Sequence, residues 1–202
     1  MTCLSGAKSN RSKRLAGRPA PGFTLMEMVV SVSIIVMVTV VFIANYHATN
    51  RRTDLTMAAQ ALVADLHLAQ NNTLGLIKYN GALPAGGWGV HFNIDSTDYV
   101  TFADLNAPGE SGAMSYDSAT EGNVDYGARV SHLPSGVVIN SLADTSGSPT
   151  IVDVTFLPPD PTTSIFNGSA TSSVLSIRLK DTHTGQTKTV QVNFLGLAEV
   201  ID

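Results

Sequence analysis

Residues 22–44 read Gly-Phe-Thr-Leu-Met-Glu-Met-Val-Val-Ser-Val-Ser-Ile-Ile-Val-Met-Val-Thr-Val-Val-Phe-Ile-Ala, an apolar run interrupted by one acid, Glu27. From 28 to 44 there are 17 consecutive uncharged residues, and counting from 23 gives 22. At about 1.5 Å per helical residue the longer count spans about 33 Å, enough to cross a hydrocarbon core of about 30 Å. Lys8, Arg11, Lys13, Arg14 and Arg18 precede the run with no acid among them, whereas Arg51, Arg52 and Asp54 open the far side. That cationic bias predicts a single span with the N-terminus in the cytoplasm and the remainder outside.

A carboxylate within such a span costs about 2.5–3.5 kcal/mol at mid-helix if left alone. Glu27 therefore calls for a partner. Cleavage after Gly22 would supply one, because the new α-amino group of Phe23 is a cation and Glu27 becomes the fifth residue of the product. Within one helix the two lie about one turn apart. Between axially staggered neighbouring helices they can also pair, and such a pair would set the stagger.

Gly22-Phe23-Thr24-Leu25-Met26-Glu27, with a charged leader before it and an unbroken apolar run after it, resembles the processing signal of type IV prepilins and type II secretion pseudopilins. The resemblance implies a membrane peptidase that cuts after Gly22 on the cytoplasmic face and N-methylates Phe23. It also implies retention of the apolar segment, unlike an ordinary secretory signal. Two departures accompany it: Pro21 sits just before the scissile glycine, and the span lacks the midway Gly or Pro of many major pilins.

Beyond the span the helical pattern continues, with no Gly or Pro between Phe23 and Leu74. Leu55, Ala59, Leu62, Leu66, Ala69, Thr73 and Leu76 recur at spacings of four and three, while Asp54, Asp65, His67, Gln70 and Asn72 are expected on the polar surface. Helical order should begin to fail at Gly75. The rest of the chain reads as strands at 88–92, 99–102, 137–139, 151–157, 174–179, 189–194 and 198–201, divided by Gly, Pro, Asp, Ser and Asn clusters. An antiparallel meander is expected, with a hairpin turn near 181–185 and a surface excursion over 106–127. The predicted division is a leader at 1–22, a transmembrane and assembly helix at 23–44, an amphipathic continuation at 45–79 and a β-sheet domain at 80–202. The fold class is α+β, and by resemblance the pilin fold, a long N-terminal helix packed on a C-terminal antiparallel sheet. Residues 57–74, Trp88-Gly-Val and the ending 188–200 are similar to the GspH/FimT group of minor pseudopilins.

Enzyme chemistry finds little footing. His47, His67, His91, His132 and His183 are scattered, and none forms a paired metal motif on a helix. The one cysteine, Cys3, lies in the leader, and no Gly-x-Ser-x-Gly occurs. Asp95, Asp98, Asp104, Asn106, Glu110, Asp117, Glu121 and Asp125 offer oxygen ligands of the kind calcium takes, but without the spacing of a calcium loop, so no metal and no cofactor is expected. Without residues 1–22, which hold five of the 12 basic residues and none of the 16 acidic ones, the formal side-chain charge falls from -4 to -9. Some FimT-like proteins are associated with DNA capture, yet here the cations near the C-terminus reduce to Arg178, Lys180 and Lys188, a poor phosphate footprint.

The expected role is a non-enzymatic structural subunit, a minor pilin or pseudopilin, held in the inner membrane with its sheet domain periplasmic and then drawn into a filament. Its partners would be the prepilin peptidase and methyltransferase and other pilin or pseudopilin subunits. Gly22 and Phe23 would be the processing residues, Glu27 the complementary anion, and Leu25, Val29 and Val30 part of the packing surface. A single-pass tethered binding module and a secreted hydrolase are the rivals, the first retaining its leader and the second needing a pocket.

Overall fold

The computed structural model describes residues 22–118, 129–158 and 162–201. Residues 1–21, with five cations and Cys3, which make up all but the last residue of the expected leader, lie outside the described residues, as do Glu121, Asp125 and the His47 side chain. The class is α+β: among the described residues one helix, α1 (Leu25–Leu74), precedes ten strands that pair antiparallel. The chain divides into two compact units, Met1–Ile43 and Ala44–Asp202.

Thr24 starts α1. Its hydroxyl accepts the Glu27 N–H at 3.2 Å and its carbonyl accepts the Met28 N–H at 3.2 Å. Thr24-x-x-Glu27 has the spacing of a capping box, and such a cap contributes about 1 kcal/mol. Within Leu25–Ile43, Ser31, Ser33 and Thr39 each donate to the carbonyl four residues earlier, at 2.7, 2.8 and 2.7 Å. Their hydroxyls therefore need nothing from the surroundings, a condition that an apolar solvent imposes. At the other end the Leu76 N–H bonds the Thr73 carbonyl and the Ile77 N–H bonds the Asn72 carbonyl, the two bonds of a Schellman stop. The helix ends at Leu74, so order fails at Gly75 as expected, and the left-handed residue of the stop is Leu76 (φ 49°).

The outer part of α1 buries Leu55, Ala59, Leu62, Leu66, Ala69 and Thr73 of the anticipated stripe, and Ala58 in addition. Leu76 departs from it and is half exposed, because the helix has already ended and the left-handed turn redirects its side chain.

The single meander is replaced by two sheets. The strands are β1 (Gly87–Asn93), β2 (Asp98–Asp104), β3 (Arg129–His132), β4 (Val137–Asp144), β5 (Ile151–Leu157), β6 (Thr162–Phe166), β7 (Thr171–Ser172), β8 (Val174–Asp181), β9 (Thr187–Asn193) and β10 (Ala198–Ile201). One sheet runs β3-β2-β1-β5-β6-β7 and the other β10-β9-β8-β4. The order is not sequential because β1 takes β5 as its second neighbour and β4 takes β8. Apolar alternation identifies a strand but not its partner, so this long-range choice was invisible locally.

Both sheets supply one core. Trp88, Val90 and Phe92 of β1, Val152, Val154 and Phe156 of β5, and Leu175, Ile177, Leu179, Val190 and Val192 of the smaller sheet pack with the α1 stripe. The opposite face of the larger sheet is also covered. Phe102 meets Tyr116 there at 5.3 Å between ring centroids, and a Cβ at Gly89 would come within 2.9 Å of Phe102, which makes glycine the fitting residue. Buried Asp104 anchors the overlying loop by accepting the Asn106 and Met114 N–H groups at 3.0 and 2.7 Å.

The β8–β9 hairpin turns where expected. Buried Asp181 accepts the His183 N–H at 2.8 Å through its carboxylate, and its backbone carbonyl accepts the Gly185 N–H at 2.8 Å. Burial alone would raise the carboxyl pKa, but the donors of His183 and Thr184, aided by the Arg51 charge, hold it below the ordinary value. A depressed folded pKa contributes stability above the unfolded value of about 3.9 that disappears as pH falls through the folded one. Asp181→Ala should therefore cost about 2 kcal/mol at pH 7, and thermal melts should show the gap to the parent chain closing below pH 4.

Candidate functional site

Gly22 and Phe23 stand ahead of α1 in extended or irregular chain, and both are exposed, Phe23 to 78%. A Cβ built on Gly22 would meet nothing within 4 Å. Among the described residues nothing makes a demand for glycine at 22.

Thr24 then fixes the first turn, which sets Glu27 at the third helical position. Acids are favoured there by the partial positive charge of the helix start, by about 0.3–1 kcal/mol. Among the described residues the Glu27 carboxylate has neither a hydrogen-bond nor an ion-pair partner, while the other polar side chains of Leu25–Ile43 after it are all satisfied within the helix. Leu25, Val29 and Val30 are exposed at 83%, 54% and 48%, and the remaining apolar side chains of the segment are exposed as well. A helix apolar on every side is stable only when surrounded by lipid or other apolar helices. Leu25–Ile43, 19 residues, is long and apolar enough to cross a membrane.

The cap was available to sequence reasoning and was missed. The Ser/Thr-x-x-Glu spacing that signals a helix start sits inside the same six residues that suggested cleavage.

Elsewhere, the described acidic side chains of the calcium-ligand type are engaged separately. Asp104 is buried as a loop anchor, Glu110 accepts the Ala107 N–H at 2.9 Å, and Asp98 accepts from Ser96 at 2.5 Å. Among the described residues no group of three or more His, Cys, Asp or Glu side chains is placed to hold a metal. His91 is more engaged than its sequence position suggested: its Nδ1 lies 2.6 Å from buried Asp153, and its ring lies 4.7 Å from that of Tyr116.

The three cations considered for phosphate contact do not share one strand face. Lys188 pairs opposite core-facing Leu179, whereas Arg178 and Lys180 flank Leu179 on the other side of the same strand. Alternation along β8 enforces the split. Asp65 also departs from expectation. Instead of lying on the polar face it is buried, accepting from Tyr99 Oη at 2.9 Å and Ser131 Oγ at 2.8 Å, with Arg129 at 3.5 Å.

Comparison with protein-family models, curated proteins and solved structures finds no match.

Proposed function

We propose that this chain is a prepilin or pseudopilin, a structural subunit cut after Gly22 and assembled through its apolar N-terminal helix, in the minor role that the GspH/FimT resemblance suggests. The observation that carries this reading is the coincidence, within six residues, of an exposed Gly22–Phe23 segment, the Thr24 cap and an unpartnered Glu27 at the head of an unbroken apolar helix. Each element has a use in assembly that it lacks in an ordinary membrane anchor. Exposed chain before the cap gives a peptidase an accessible substrate. The cap keeps the helix intact when everything before Phe23 is removed, because both of its bonds lie within the product.

Removal of residues 1–22 places an ammonium group next to the first helical turn and takes away five cations that hold the precursor at the cytoplasmic surface. Glu27 then seeks that ammonium group, its own or a neighbour's, and Leu25, Val29, Val30 and the run to Ile43 exchange lipid for other apolar helices. The inner membrane is the place of processing, with the sheet domain on its periplasmic side. The partners are the processing enzyme and other subunits, and no catalytic group of this chain takes part. Two cations on one face of β8 in a domain with a side-chain charge of -9 give DNA capture little support.

Mass spectrometry of the protein isolated from its producing cells tests the reading. The expected N-terminus is methylated Phe23. Material beginning at Met1 would instead describe a membrane-tethered domain.

A further inference from the structure

The outer edge of the larger sheet is incomplete. β6 pairs with β5 along its whole length, from Leu157↔Thr162 to Asp153↔Phe166. On its other side β7 pairs with only Ile165 and Phe166, after which the chain leaves the sheet at Ser173 to begin β8. Beside Thr162, Thr163 and Ser164 the lane that β7 would have continued is a cavity of about 500 Å³, within the size range of ligand sites, about 300–1,000 Å³.

The walls of this lane are fixed by the fold. Met114 stands on one side, its sulfur accepting from Ser164 Oγ at 3.2 Å. Phe194 stands on another, held by its N–H bond to the Ser173 carbonyl at 2.8 Å, yet its side chain is 55% exposed. The neighbouring turn follows Phe194 with exposed Leu195 and Leu197. Among the described residues, none that lines the cavity carries a charge, in a domain that is otherwise acidic.

A strand paired on one side only directs alternate N–H and C=O groups outward. Those of the Thr162–Ser164 stretch face the cavity lane, where their natural complement is another extended backbone. The absence of charge on the walls matches an uncharged segment, and Met114 and Phe194 match apolar or β-branched side chains on it.

We propose that this slot is a strand-addition site that receives one extended, uncharged segment of a partner polypeptide, laid beside β6 end to end with β7. Every residue used belongs to the Ala44–Asp202 unit, so the inference stands apart from N-terminal processing.

The test is a titration of full-length, isotope-labelled protein in detergent micelles with an acetylated, amidated hexapeptide of alternating Thr and Val. Amide resonances of Thr162, Thr163, Ser164 and Ser173 should shift, and hydrogen exchange at the outward-facing β6 amide should slow about tenfold or more. A hexapeptide N-methylated at alternate residues, unable to donate to β6, should bind at least about fivefold more weakly, the value of one net hydrogen bond. Phe194→Glu, a change at an exposed side chain, should likewise weaken the parent hexapeptide. The inference is overturned if the β6 amides are already protected without peptide, if millimolar peptide shifts nothing there, or if the N-methylated peptide or Phe194→Glu binds undiminished. Because both units are present but only the second is read, a precursor still carrying its leader gives the same answer, and failure here leaves the assembly reading intact.

Discussion

Glu27→Val should give a chain that inserts into the membrane and is cut after Gly22 but does not enter filaments. The substitution removes the one acid from Leu25–Ile43, so the span becomes more apolar and insertion is favoured, by less than the about 2.5–3.5 kcal/mol of a mid-helix acid because Glu27 sits in the first turn. The cap is kept, because Thr24 bonds the backbone N–H of residue 27 and not its side chain. On the proposed reading, what disappears is the partner of the Phe23 amine. In a packed bundle the orphaned ammonium group would be buried among apolar helices, and breaking a buried pair in this way costs about 3–5 kcal/mol. Every 1.4 kcal/mol is tenfold in an equilibrium, so incorporation should fall at least about a hundredfold. Immunoblots of sheared filaments and of the membrane fraction separate the two pools. Gly22→Asp should act one step earlier, leaving only a precursor 22 residues longer than the product. Filaments at parental levels from the Glu27→Val chain would end the pairing argument, whatever the fate of the leader.

The parts of the molecule legible in the sequence are those whose information is local. The absence of Gly and Pro from 23 to 74 made α1 visible, and the four-three spacing from Leu55 to Thr73 identified its buried stripe. Apolar and β-branched runs between turn clusters revealed β1, β2, β4, β5, β8, β9 and β10. β3, β6 and β7 escaped because Arg-Val-Ser-His, Thr-Thr-Ser-Ile-Phe and Thr-Ser carry no apolar period to announce them. Their strand character comes from neighbours already in place, an effect of tertiary context that propensity cannot carry. Phe194 fell outside β9 for a related reason: Asn193 accepts the N–H groups of Leu195 and Leu197 and bends the chain into a turn just where hydrophobicity suggested continuation. At the candidate site the residues were legible but the division of labour among them was only partly so. Glu27 stood out as an unpaired acid, while Thr24 hid within a motif that had already been given another meaning.

Asp65 is the largest misreading on the helix, and its replacement has the largest expected effect on stability. Helical periodicity put it next to the apolar stripe, and an acid at such a boundary is ordinarily solvated. Here the Tyr99 hydroxyl, Ser131 and Arg129 come to it from β2 and β3, tying α1 to the edge of the larger sheet. Asp65→Ala leaves the Tyr99 hydroxyl and Ser131 without their acceptor. Loss of a charged acceptor by buried donors costs about 3 kcal/mol, or about 6–12 °C in melting temperature for a domain of this size. Asp65→Asn retains an acceptor and should cost less than half as much. Arg129→Ala should be nearly silent, since a pair with so exposed a partner contributes under about 1 kcal/mol.

The same contact has an alkaline signature. Burial, reinforced by the Asp65 charge, raises the Tyr99 pKa well above the ordinary tyrosine value. As pH rises past about 10 the unfolded chain releases this proton while the folded chain keeps it, so stability falls until the folded pKa is passed. Tyr99→Phe should remove that slope while lowering stability at pH 7 by about 1 kcal/mol. Urea melts of the parent, Asp65→Ala, Tyr99→Phe and the double variant, at pH 7 and pH 10.5, therefore measure the link twice, once as a coupling energy and once as a change in pH dependence. Additive single losses together with an unchanged alkaline slope would mean that the carboxylate and the phenol are neighbours without mutual support, and that α1 is held to the sheet by its apolar stripe and by the Thr73 hydroxyl, which donates to the Phe156 carbonyl and accepts the Trp88 N–H.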